Sequence, residues 1–287
     1  MKLNGRRASR NIEDRRGQRG SRRVSGGSAG GLGIGAVLLI LAFGYFTGID
    51  VTPLLTGDGS YETTQDTGSA ELSVEEQRAG QFAAQVLGTT EDVWTAVFPE
   101  QLGRTYDPPV MVLFSGTTTS PCGGASAATG PFYCPTDRKA YLDTDFFATL
   151  SRELGASGDF ASAYVIAHEV GHHLQNELGI LGKVNAYRQQ AGTVEANAAT
   201  VRLELQADCL AGVWASHVEG LLEPGDIEEA VNAARMIGDD RLQRQAGRVP
   251  QPHTFTHGTS AQRSKWFTTG YESGQVASCD TFGGGDI

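Results

Sequence analysis

His168-Glu169-Val170-Gly171-His172 decides the reading of this chain. Two histidines four residues apart on an α-helix lie about 40° from each other around its axis, so both imidazoles can reach one metal ion from one face. A glutamate beside the first histidine can act as general base on a water activated by that metal. Zinc suits such a site, because three protein ligands leave its fourth position open to water, whose pKa falls to about 7.

The residues around the motif read as one helix from Asp159 to Gly179, with Asp159 as N-cap and Gly179 just past the end. Ile166, Val170, Leu174 and Leu178 recur every fourth residue and form a stripe for a core, leaving His168 and His172 on the other side. Gly171 weakens the helix but lets another element or a substrate approach closely. His173 is turned about 140° from His168 and reads as a bystander.

A two-histidine site needs a third ligand. A second helical pattern runs from Glu195 to Val218, with Leu203, Ala207, Leu210 and Trp214 as its apolar stripe. Glu204 and Asp208 share a different face, and Glu204 follows His172 by 32 residues, enough for a loop and a returning antiparallel helix. Glu204 is the candidate ligand. Asp208 is the candidate acceptor for the free N–H of a ligating histidine, which would fix its tautomer. The rival reading gives both carboxylates to a solvated face.

The run from Ala163 to His173 and the ExQAD at Glu204 to Asp208 resemble the bacterial membrane-anchored "putative neutral zinc metallopeptidases". So do the stretches Gly5 to Arg7, Asn11 to Gly17, Gly130 to Pro135, Leu222 to Ala230 and Phe255 to Ser260, followed by Gln262-Arg263 and Trp266-Phe267. The resemblance runs nearly end to end and implies an α+β fold: a mostly helical zincin-like domain with a small sheet, one catalytic Zn2+ and a glutamate as third ligand. His253 falls outside the family-like stretches.

Charge is unevenly spread along the 287 residues, whose net is −10. Residues 1–30 carry nine Lys and Arg against Glu13 and Asp14; the remainder holds 14 basic and 31 acidic residues, a net of −17. Residues 31–49 are uncharged, and 19 such residues suffice to cross a bilayer as a helix. The expected organisation is a basic cytoplasmic arm (1–30), a transmembrane signal anchor (31–49), a Thr/Gly/Asp-rich linker (50–72) and an extracytoplasmic zinc metallopeptidase domain (73–287). The expected location is the cell membrane, single-pass, with the N-terminus cytoplasmic and lipid contact through residues 31–49. A cleaved signal peptide is the rival, but no clear A-x-A site follows the apolar stretch. Arginine beside a membrane span is explained by orientation and anionic lipid, so no nucleic-acid partner is expected.

The four cysteines are Cys122, Cys134, Cys209 and Cys279, which allow three pairings. Cys122 and Cys134 bracket a Gly/Ala/Ser-rich loop that a bond could close. A Cys209–Cys279 bond would tie the tail to the back of the candidate ligand helix. No C-x-x-C spacing favours a thiolate metal site, and an outside location favours disulfides.

Further along, Ser73 and Glu76 predict a capping box opening a helix to about Leu87, followed by a short helix from Thr89 to Phe98. Val110 to Phe114 and Lys139 to Asp143 read as strands, the second followed by a helix through Phe146, Phe147 and Leu150; helical patterns recur at 226–237 and 259–272. By the resemblance, the 139–143 strand is the expected cleft rim, pairing with extended substrate.

These readings converge on a membrane-anchored zinc endopeptidase acting on peptides or proteins outside the cytoplasmic membrane, with Glu169 as base. His257, followed by a glycine, is the candidate donor to the developing oxyanion, and Tyr133 is a weaker one. The rival is a non-catalytic zinc-binding envelope scaffold or protease regulator, for which a base beside the metal would serve no purpose.

Overall fold

The computed structural model describes residues 1–17, 71–126, 130–152 and 154–283. Met1–Gly17 and the chain from Glu71 onward form one compact unit. Its strands are β1 (Ile12–Asp14), β2 (Val110–Phe114), β3 (Thr117–Ser120), β4 (Gly123–Ser126), β5 (Phe132–Cys134) and β6 (Lys139–Asp143). Its helices are α1 (Val74–Val97), α2 (Phe146–Arg152), α3 (Asp159–Glu177), α4 (Ile180–Arg188), α5 (Thr193–His217), α6 (Asp226–Met236), α7 (Asp239–Gln245) and α8 (Ser260–Ser273). A mostly helical unit with a small sheet is what the sequence leads one to expect.

Helix α1 begins at the predicted capping box: the Glu76 N–H donates to Ser73 Oγ, and the Ser73 N–H to Glu76 Oε2. It does not stop near Leu87. Thr89 and Thr90 donate their hydroxyls to the carbonyls of Val86 and Leu87, so both stay inside the helix. Gly88 marks a close approach rather than a break, since a Cβ there would lie 2.6 Å from the Arg7 carbonyl oxygen. The two expected helices are therefore one of 24 residues.

The main sheet has the order β1-β2-β6-β5. β1, β2 and β6 run parallel, and β5 lies antiparallel to β6 with Tyr133 opposite Ala140. The strand expected at the cleft rim, 139–143, is thus interior. The edge beside it is β5, and the Phe132 ring stacks on Tyr141 with centroids 4.9 Å apart.

The sequence also suggests a preceding transmembrane helix and a cytoplasmic N-terminus, and here the structure requires a correction. Residues 31–49 lie outside the described residues, and among those described no helix is long and apolar enough to cross a membrane. Three of the basic residues that read as an orientation signal are instead paired within the folded unit. Arg7 pairs with Glu91 and Asp92, each at 2.7 Å, and Arg15 and Arg16 pair with Glu13 and Asp14. β1 pairs with β2, and the Met1 ammonium lies 2.9 Å from Asp159, 2.9 Å from Glu223 and 3.2 Å from Asp226. A segment that shares one core with 71–283 stands on the same side of any membrane. The single-pass placement, with the N-terminus inside and the domain outside, is therefore withdrawn.

Met1 and Leu3 are buried in the same core as Val86, Leu87 and Leu221. Burying side chains of this size contributes about 1.5–3 kcal/mol each. Deleting residues 1–17 is therefore expected to lower stability by about 3–6 kcal/mol, read as a lower urea midpoint; an unchanged midpoint would show that this segment is not part of the core.

Candidate metal centre

The two predicted ligand helices meet side by side. Along α3, Tyr164 and His168 contact Asp208, and Gln175 reaches the Leu203 carbonyl, so position rises on one helix as it falls on the other. The helices are antiparallel, as the loop length suggested. Gly171 sits at their closest approach: a Cβ there would lie 3.1 Å from the Cα of Ala207. A stacked pair, Phe160 on Trp214 at 5.5 Å, fixes one end of the contact.

This crossing brings His168, His172 and Glu204 together, with one ligand atom from each within 4.8 Å of the others. His168 Nε2 is 3.2 Å from Glu204 Oε2, and His172 Nε2 is 3.5 Å from Glu204 Oε1. Nitrogen and oxygen ligands about 2.0–2.1 Å from a tetrahedral zinc stand about 3.3 Å apart. The donor set and its spacing therefore fit that ion.

Each imidazole is held by its other nitrogen. His168 Nδ1–H donates to Asp208 Oδ1 at 2.8 Å, and His172 Nδ1–H donates to Gln175 Oε1 at 2.9 Å. Both Nε2 lone pairs are thereby left for a metal. Gln175 is anchored in turn, donating to the Leu203 carbonyl and to Gln206 Oε1. Asp208 is fully buried and also accepts from the Tyr164 hydroxyl and from Arg263 Nε and Nη2, the last two at 2.8 Å. Burial pushes the Asp208 carboxyl up, but Arg263 and His168 outweigh it and hold the group at about 2. Glu204 is likewise held well below the usual carboxylate range: burial opposes its charge, and His172 and His168 favour it more.

No hydrogen bond joins Glu169 Oε2 to this network. Burial pushes its carboxyl up, with His172 and His168 pulling the other way. Its Oε2 is buried and has no hydrogen-bond partner. A charged acceptor in that state is costly unless something else occupies the space beside it. Glu169 lines an open cleft of about 340 Å³ together with both histidines, Glu204 and His257. Phe132 and Tyr133 of β5 form another wall, so the free strand edge borders the cleft.

His257 reaches this cleft from a loop far along the chain. Asp239 builds that loop: its Oδ2 accepts the backbone N–H groups of Thr256, His257 and Gly258 at 2.7, 2.6 and 3.0 Å. Its Oδ1 takes His257 Nδ1 at 3.2 Å. Gly258 has φ +92°, so the glycine after His257 does serve a tight turn. Tyr133 also lines the cleft, but its hydroxyl is occupied. It donates to His173 Nδ1 at 3.1 Å and accepts from Asn176 Nδ2, while His173 Nε2–H donates to the Asp107 carbonyl at 2.6 Å. His173 stays outside the ligand cluster and clasps the rim strand to α3.

Sequence reasoning missed Arg263, Tyr164, Gln175 and Asp239. Gln175 had a local signal, three residues after His172 on the same helix. Asp239 had none and Arg263 only its place in a family-like stretch, because their partners lie 18 and 55 positions away. The cysteines pair Cys122–Cys134 and Cys209–Cys279. The second bond ties the C-terminal segment to the back of α5, where Gln206 Nε2 also donates to the Cys279 carbonyl.

Residues 1–282 match the protein family described as "Putative neutral zinc metallopeptidase". The chain is 47% identical over 290 residues to the uncharacterized protein YpfJ of Escherichia coli K12, covering 99% of each chain. It is 47% identical over 212 residues to the uncharacterized protein Rv2575 of Mycobacterium tuberculosis H37Rv, covering 69% of each. No solved structure matches it. With a group of side chains able to hold a metal at the crossing of α3 and α5 and a family match over nearly its whole length, the chain belongs to the putative neutral zinc metallopeptidases.

Proposed function

We propose that this protein is a zinc-dependent endopeptidase, with His168, His172 and Glu204 as metal ligands and Glu169 as general base. The observation that carries the reading is the buried, unpartnered Glu169 Oε2 beside three metal-competent side chains in an open cleft. Structural zinc sites are closed by four protein ligands, whereas catalytic ones keep a position open. A scaffold would have no need of either the open cleft or the orphaned carboxylate.

Zinc held here supplies Lewis acidity, polarising the scissile carbonyl and acidifying water. The chain's own residues do the rest. Glu169 accepts the proton of the attacking water and passes it to the departing amine. Burial favours this work by raising the carboxyl's proton affinity. His257, its Nδ1 held by Asp239, turns its other ring nitrogen to the oxyanion that forms as the carbonyl is attacked. Asp208, with Arg263 behind it, and Gln175 keep the ligand rings oriented. Extended substrate pairs with the free edge of β5.

His168→Ala, His172→Ala and Glu204→Ala should each strip most of the zinc, and Asp208→Asn should weaken zinc binding by about 10–100-fold. Metal analysis after dialysis checks this; full occupancy in Glu204→Ala would remove it from the ligand set.

Glu169→Gln should keep zinc and fold yet lose peptide cleavage by orders of magnitude. Cleavage at the wild-type rate would rule out the base assignment.

His257→Ala and Asp239→Ala should lower kcat by similar factors of about 10²–10³ with zinc retained. The double variant should be little worse than either single one, because both changes remove one acting unit. Fully multiplicative losses would separate the two roles, and wild-type turnover in His257→Ala would end its catalytic one.

A further inference from the structure

The cleft lining also carries a cation that the proposed chemistry does not use. Helix α4 contributes Leu181, Asn185 and Arg188 to the lining, and α5 adds Thr200 and Leu203. Leu181 and Leu203 pack with Tyr133 into an apolar floor. Above it stand two polar groups on successive turns, Asn185 and Arg188.

Arg188 is the one arginine among the described residues that line this cleft. Arg263 is matched by Asp208, Arg138 by Asp107 and Glu177, and Arg244 by Asp240 one turn back. Arg188 has no carboxylate within ion-pair reach among the described residues; its one hydrogen bond is from Nη1 to Asn185 Oδ1 at 3.3 Å. The position one turn back, which holds Asp240 for Arg244, is here the buried Val184. A cation at a helix C-terminus complements the helix dipole, and that alone would explain a basic residue. It does not explain why this one opens on the metal cleft of a chain with net charge −10 and has no acid beside it.

Resting on the peptidase reading, we propose that Arg188 and Asn185 form a subsite for a substrate carboxylate, so that preferred substrates carry an acidic side chain or a free C-terminus near the scissile bond. The guanidinium offers a planar fork of N–H donors that matches a carboxylate. Asn185, whose Oδ1 accepts from Arg188, keeps its amide N–H groups to donate. The Leu181–Leu203 floor suits the methylene stem of a glutamate or the backbone of a terminal residue.

The test uses the zinc-loaded full chain and peptides that differ only by Glu or Gln at successive positions around the cleaved bond, each made as free acid and as C-terminal amide. Hydrogen bonds to charged groups contribute about 1.5–3 kcal/mol, so the acid should be preferred by about tenfold or more in kcat/KM. A preference for internal Glu identifies a side-chain subsite; a preference for free acid over amide identifies a terminal one. Arg188→Gln should erase the preference, and Arg188→Glu should shift it towards Lys. Affinities of the same peptides for the Glu169→Gln protein give a readout independent of turnover. Cleavage without acid preference, or a preference that survives Arg188→Gln, overturns the subsite alone. Arg188-dependent binding of acidic peptides without any cleavage by wild type keeps the subsite and overturns the peptidase reading. Neither cleavage nor selective binding overturns both.

Discussion

A single carboxylate with no access to water holds the candidate metal centre together. Asp208 accepts from His168 on α3, from the Tyr164 hydroxyl four residues earlier and from the guanidinium of Arg263 on α8. Burying such an ion is costly unless every lone pair is met, so three helices must arrive in register for it to be tolerated. Its neighbours gain fixed positions from that demand. His168 can present only Nε2 to the cleft, and Arg263 is buried to 1% exposure because its charge is matched there. Replacing the cluster by apolar residues could leave a stable protein, but it would leave His168 free to rotate.

The same stretch of chain serves both sides of the cleft. Asp239 gathers the backbone of Thr256 to Gly258, and a Thr259–Gln262 capping box then starts α8, placing His257 and Arg263 six residues apart on different duties. One reaches the open side of the centre and the other its buried back. The Cys209–Cys279 bond holds the segment after α8 against α5, so the C-terminal part of the chain is secured at both ends of that helix.

What could be read in advance followed from periodicity and from local chemistry. The four-residue spacing of His168 and His172, and of Glu204 and Asp208, fixed which side chains share a helix face, and the structure brings those faces together. The capping box at Ser73 and the end of α3 at Gly179 were equally local; Gly179 does take the left-handed conformation. The failures involved partners distant in the chain. Gly88 looks like a helix break until the Arg7 carbonyl is seen lying against it. Lys139 to Asp143 looked like a rim because strand order is not written in any one strand. Arg7 looked like part of a membrane signal, since its acid partners on α1, Glu91 and Asp92, lie about eighty positions away.

The pairing of β1 with β2 also bears on how the chain reaches its fold. Ile12 and Met111 are partners 99 positions apart, in parallel strands that no tight turn can join. During synthesis β1 must wait for all of α1 and β2 before its backbone N–H and C=O groups find mates. Nucleation from the amino end is therefore disfavoured, and the entropy of closing that span falls on a late step. Folding should begin instead on the helical side, where α3 and α5 are close in sequence, with the amino-terminal strand docking afterwards as the last piece of the sheet.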